Sequence, residues 1–265
     1  MSTRVNMTRL AVELSLAAML GFGMIADAKA DSPAEGSAPS VSRAATALQA
    51  AAKDNKYLFI FFFAGQDAHT GDMNGVFQAA MAKMTDRAKG IAIHVADPAE
   101  KPIVDKFGVR GAPMPLVLAI APTGAATRAF PKQFAEAQFQ DAFVSPCTAK
   151  CMRVIQDQHM ILICVQNGKT QFNQEAMQGV KTFKAESRYG KATEVVMLDP
   201  ADKAEQHFLT DLQVDARSDT AVTVLVTPPG APVARFAGAV TEAQITAKVK
   251  EAESGCGAGC SCHKH

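Results

Sequence analysis

Tryptophan is absent from the 265 residues and tyrosine occurs only twice. Base-stacking platforms need such rings, so single-stranded nucleic acid has little to rest on. No charge of either sign is in excess: 27 basic side chains stand against 26 acidic ones. A nucleic-acid grip needs a basic surplus, so that class of partner is excluded. The first 146 residues hold no cysteine, and no Cys-x-x-Cys occurs anywhere. Long apolar runs are missing, which excludes a multi-span membrane protein. What is present is a globular composition, 48% hydrophobic, with six cysteines confined to two late clusters and one strand.

Arg4 and Arg9 precede a small, apolar run from Leu14 to Ala26. Ala28-Lys29-Ala30 then supplies a small-x-small cleavage site. This is the three-part pattern of a secretory signal peptide over residues 1–30, so a periplasmic or secreted protein is expected. The run is too short to span a bilayer comfortably, so no stable membrane insertion is expected after leader cleavage. Removing the leader leaves equal numbers of acidic and basic side chains. Outside the cytoplasm thiols can pair, so disulfides come into play.

Residues 31–42 (DSPAEGSAPSVS) are small, polar and Pro-containing, and read as a flexible leader. Beyond them the chain repeats itself. Tyr57–Phe63 and His159–Val165 are continuous apolar runs that read as buried strands, 102 residues apart. Asp97-Pro98-Ala99 and Asp199-Pro200-Ala201 match at the same spacing. The turns Ala121–Gly124 and Thr227–Gly230 match at 106, as do Glu136-Ala137-Gln138 and Glu242-Ala243-Gln244. A period near 100 residues means domain duplication. Each copy reads αβαβαββα, with parallel pairing in the βαβ part and an antiparallel final hairpin. The expected domains span 43–144 and 146–252, followed by a Cys/His-rich tail over 253–265.

That order resembles the thioredoxin fold, an α/β class with a central mixed sheet flanked by helices. In the first copy Phe61-Phe62-Phe63-Ala64 resembles the strand that runs into the active-site loop. Gly108-Val109-Arg110-Gly111-Ala112-Pro113 resembles the segment ending in a cis-proline, which the resemblance assigns to Pro113. In the second copy Arg217-Ser218-Asp219 lies in that region, and the proline feature is expected to be lost. The resemblance implies a Cys-x-x-Cys at the start of the long helix, where the helix dipole stabilises a thiolate. The corresponding residues are Asp67-Ala68-His69-Thr70; in the second copy the loop is Gln166–Thr170. Asp67 or Thr70 can cap a helix, but neither exchanges disulfides. His69 has no adjoining nucleophile and reads as an exposed loop histidine.

The remaining sulfur is elsewhere. Cys256, Cys260, Cys262, His263 and His265 lie within ten residues, separated by Gly, Ala, Ser and Lys. Thiolate and imidazole together suit Zn(II) and Cu(I), so copper or zinc is the expected cofactor. A disulfide in the tail, or no role, stands beside that reading. Extended, ten residues reach about 30 Å, enough to present a metal to a protein partner of unidentified class. Cys147 and Cys151 share one helix face at i and i+4, as a metal pair, a strained disulfide or packed small residues. Cys164 lies in an apolar strand and reads as core, at the position of Phe62. The methionines Met73, Met81 and Met84 form a helical stripe with Phe77 and read as core. Three function classes follow. They are a redox-inactive scaffold with a metal-binding tail, an atypical thiol–disulfide oxidoreductase using Cys147/Cys151 or the tail, and a protein-interaction module with incidental cysteines.

Overall fold

The computed structural model describes residues 41–255. The expected signal peptide and the tail donors Cys256, Cys260, Cys262, His263 and His265 lie outside the described residues. The chain forms two compact units, residues 41–122 with 129–139, and 123–128 with 140–255.

In the first domain, Ser42 caps α1 (Arg43–Lys53) by accepting from the Ala45 amide at 3.0 Å. The apolar run Tyr57–Phe63 is β1, buried along almost its whole length. Asp67 caps α2 (Ala68–Lys83), whose Phe77 and Met81 are buried. β2 (Ala88–His94), α3 (Lys101–Lys106), β3 (Leu116–Ile120) and β4 (Ala126–Pro131) complete the sheet, ordered β2-β1-β3-β4. β1 runs parallel to β2 and antiparallel to β3. Phenylalanine supplies the core: Phe61 meets Phe77 at 5.5 Å between ring centroids, and Phe59 meets Phe139 at 5.5 Å. Such pairs contribute about 0.5–1.5 kcal/mol beyond their burial.

The second domain repeats the plan with α4 (Pro146–Gln156), β5 (Met160–Val165), α5 (Asn173–Glu186), β6 (Thr193–Leu198), α6 (Gln206–Asp211), β7 (Val222–Thr227), β8 (Ala231–Ala237) and α7 (Glu242–Gly255). Its sheet runs β6-β5-β7-β8. β5 is parallel to β6 and antiparallel to β7, and β7 is antiparallel to β8. Aliphatic residues outnumber aromatic ones in its core. One sheet face packs Ile161, Ile163, Phe208 and Leu209; the other packs Leu162, Val180, Phe183 and Val249.

Three expectations change. The first copy does not close with an α-helix: Glu136–Ala142 is a 3-10 segment. Ser145 already caps the next helix three residues beyond it. The strand offset between copies is 103, since Leu58 pairs with Ile120 and Ile161 with Val226. Cys164 therefore stands where Phe61 does, not Phe62. A slip of one residue would have turned it to the opposite sheet face. The counterpart of Asp97 is Asp202 rather than Asp199: each caps a 3-10 turn, accepting from the amides of Ala99 and Ala204 at 2.9 Å.

Candidate functional site

In the first domain the loop after β1 leads straight into α2. The Asp67 carboxylate accepts from the Thr70 amide at 2.7 Å, which holds it below the usual carboxylate range. A carboxylate thus fills the helix N-terminus, the place where a thiolate would otherwise be stabilised. His69 Nε2 lies 3.0 Å from the Lys132 carbonyl oxygen. A carbonyl only accepts, so Nε2 carries the proton. The Lys132 amide in turn donates to the Pro115 carbonyl at 2.7 Å. His94 closes the other side. Its Nε2 donates to Ala64 O at 3.1 Å, and its Nδ1 accepts from the Ala96 amide at 3.2 Å. Both imidazoles serve the backbone and neither is aimed at a nucleophile.

The cis peptide bond is Met114–Pro115, not the one before Pro113. Ala112 has φ −74° and ψ 149°, the extended conformation that a residue before a trans proline prefers. Pro115 is the proline that adjoins β3, and it carries the bond to Lys132. A second cis bond, Pro228–Pro229, lies in the β7–β8 turn.

The second copy departs further. Its helix begins at Asn173, with Phe172 in the cap position. At the same strand offset of 103, Asp67–Thr70 correspond to Thr170–Asn173, so the expected loop Gln166–Thr170 runs into this helix start. They too contain no sulfur. Phe172 is 49% exposed, has φ +62°, and makes no side-chain cap. The loop before it is tied to itself: Asn167 Nδ2 donates to Asp199 at 2.8 Å, and Thr170 Oγ1 to Asn173 at 2.7 Å. At the position of Pro115 stands Ala221, whose amide donates to Gln171 O at 3.0 Å. Proline has no such donor. Gln171 also pairs with Thr220 as an isolated parallel bridge.

Cys147 and Cys151 share the inner face of α4, at 9% and 0% exposure. Both sit in one apolar cluster with Ile155, Ile161 and Phe208. The contact with Cys147, then burial, then the Glu205 carboxylate push the Cys151 thiol far up. Burial pushes Cys164 up to about 12, opposed by the Thr223 hydroxyl. Thiols in this state are poor nucleophiles and poor ligands. The counterparts of Cys147 and Cys151 in α1 are Ala44 and Leu48, which fill equivalent helix positions.

Sequence reasoning missed one pair of groups. Glu100 and Glu205 are buried, at 0% and 3% exposure, and each caps the first helix of its domain. Glu100 accepts from Ser42 Oγ (2.6 Å) and the Arg43 amide (2.8 Å). Glu205 accepts from Ser145 Oγ (2.5 Å) and the Cys147 amide (2.9 Å). The signal was present as Asp-x-x-Glu at 97–100 and 202–205, but the Asp-Pro-Ala match obscured it. Among the described residues, no three His, Cys, Asp or Glu side chains form a group able to hold a metal ion.

No family model matches the chain, and no curated relative does. Solved structures with similar folds include the germline-specific thioredoxin Deadhead of Drosophila melanogaster. It is 14% identical over 40% of this chain and 94% of its own, with a TM-score of 0.31. The first two thioredoxin domains of Saccharomyces cerevisiae Eps1p align at 10% identity over 77% of this chain and 92% of theirs, TM-score 0.29. Human ERp44 aligns at 9% over 86% of this chain and 60% of its own, TM-score 0.36. Overlays this loose carry no argument about function. On strand order and pairing, the chain folds as two tandem thioredoxin-like domains.

Proposed function

We propose that the protein is an exported, redox-inactive thioredoxin-like scaffold whose Cys256–His265 tail binds a soft metal ion, copper or zinc. One observation carries the reading. Both helix N-termini lack sulfur, and the three described cysteines are buried in cores. Soft-ligand chemistry is left to the tail, where three thiols and two imidazoles stand within ten residues. No helix among the described residues is long and apolar enough to cross a membrane.

Metal uptake tests this directly. The full chain is expected to take up Cu(I) or Zn(II) stoichiometrically, and a chain ending at Ser254 is expected to lose that uptake. Equal metal content in both would overturn the tail assignment. The oxidoreductase reading would need Cys147 or Cys151 to meet a substrate disulfide, which their burial opposes.

A second reading, a protein-interaction module, is favoured by a difference between the copies. Met114 has no hydrogen-bond partner among the described residues, whereas its counterpart Thr220 is bridged to Gln171. An unpaired backbone position can accept an extended segment. Partner binding that survives tail removal and shifts the amide signals of Ala112, Met114 and Leu116 would support this module over the metal scaffold.

A further inference from the structure

His94 ends β2 beside the loop that leads into α2, and its ring is committed at both nitrogens. An amide N–H only donates, so Nδ1, 3.2 Å from the Ala96 nitrogen, holds a lone pair. A carbonyl only accepts, so Nε2, 3.1 Å from Ala64 O, holds the proton. The two bonds coexist only in the neutral imidazole. The ring is thus a brace: the Ala96 amide orients it, and it ties down the loop after β1. The second copy builds the same brace from a different group. Ile93 pairs with Phe62 and Leu198 with Val165, so the next residues, His94 and Asp199, are counterparts. On the strand offset of 103, Asn167 stands where Ala64 does. Asp199 Oδ1 accepts from the Ala201 amide at 2.8 Å, again two residues on, and from Asn167 Nδ2 at 2.8 Å. Those two bonds hold the Asp199 carboxyl below the usual carboxylate range.

We infer that His94 is a proton-operated latch in the first domain alone: acid releases the Ala96 amide and frees the loop at Ala64, while the Asp199 brace stays closed. Imidazoles ordinarily titrate near pH ~6.5. A proton gained at Nδ1 sets one N–H against another, and the Ala96 bond is lost. The closed brace excludes that proton, so it is present above the imidazole range and lost as pH falls through it. The charged or titratable side chains on the elements packed against His94 are few. α1 brings Arg43, which serves Ala92 O and Glu100. The start of α2 brings Asp67, bonded to Thr70, with His69 and Asp72. The turn after β2 brings Asp97, bonded to Ala99, and Glu100, bonded to Ser42. β1 brings only the Phe63 ring, edge-on at 5.2 Å between centroids. Among the described residues none of these carboxylates forms an ion pair with His94, so nothing there compensates the new charge. His69 is no second latch. Its bond to Lys132 O uses Nε2 as donor, and protonation at Nδ1 leaves that donor in place.

The test is an NMR titration of the full chain from about pH 8 to about pH 5, across the imidazole range. It reads the imidazole nitrogens and the amides of Ala96 and Ala201. At the upper end the His94 ring is expected as the Nε2–H tautomer. On acidification the Ala96 amide proton is expected to move upfield in step with His94, and its protection against exchange to fall about fivefold. The Ala201 amide is expected to show no such step. His94→Asn supplies an oxygen for Ala96 and an N–H for Ala64 without titrating, and is expected to abolish the step. His69→Asn is expected to leave it in place. An Ala96 signal that does not follow His94 overturns the inference. So does an equal step at Ala201, a step that survives His94→Asn, or a His94 ring that stays neutral throughout.

Discussion

Ser42 Oγ donates a 2.6 Å hydrogen bond to the Glu100 carboxylate, a charge with no exposed surface. The amides of Arg43 and Ala44 point at the same group. A helix N-terminus thus neutralises a buried carboxylate, and Glu205 repeats the device on Ser145 and Cys147. Glu100→Ala leaves three donors without an acceptor. A loss of about 2–4 kcal/mol in urea unfolding is expected. Glu100→Gln keeps an acceptor and is expected to lose about half as much. Equal stability of Glu100→Ala and wild type would show that the clamp carries no load.

Glycine substitutions separate free space from tight contact. Gly71 and Gly75 lie inside α2, and an added Cβ at either would meet nothing within 4 Å. Gly→Ala at each is expected to stabilise by about 0.5–1 kcal/mol through helix propensity. Gly179 is the opposite case: its Cβ would lie 1.7 Å from the Val240 carbonyl oxygen. Gly179→Ala is expected to cost more than about 3 kcal/mol by forcing α5 from the chain entering α7. Thermal melts of the three variants check the ordering.

Phe172 holds a left-handed backbone at a helix cap that it cannot satisfy. Asparagine tolerates that conformation and supplies a capping oxygen. Phe172→Asn is expected to raise stability by about 1 kcal/mol, less what the ring contributes by resting near Gly238. A destabilised variant in chemical unfolding would mean that the ring contact outweighs the strain.

Stability should fall at acid pH. Asp54, Asp67, Asp105, Asp199 and Asp215 are all held below their ordinary value of 3.8 by hydrogen bonds or cations. A carboxyl lowered in the folded state stabilises above its unfolded value, and loses that effect as pH falls through the folded one. The decline is therefore expected below about pH 4. Asp67→Asn removes one such group and should flatten the acid limb slightly. An acid limb unchanged by the substitution would remove Asp67 from the account.

The fold was legible because hydrophobic runs and a 100-residue repeat are strong signals. Tyr57–Phe63 and Val222–Thr227 could hardly be anything but buried strands. The details were not legible, and the cause is register. A match at Asp-Pro-Ala aligned Asp97 with Asp199, although the capping partner is Asp202. A strand offset one residue short put Cys164 at Phe62. Sequence spacing fixes neither loop length nor which of two prolines adjoins the strand, so Pro113 was taken for Pro115. Burial of Glu100 and Glu205 runs against residue type, and pattern alone reads glutamate as surface.

On the proposed reading, sulfur chemistry resides in the tail and not in the domains. Counting reactive thiols on the reduced, metal-free native chain tests it most directly. With a bulky alkylating reagent and mass readout per cysteine, Cys256, Cys260 and Cys262 are expected to label promptly. Cys147, Cys151 and Cys164 are expected to label only on unfolding. Prompt labelling of Cys147 or Cys151 in the folded protein would contradict the account and return the helix pair to redox chemistry.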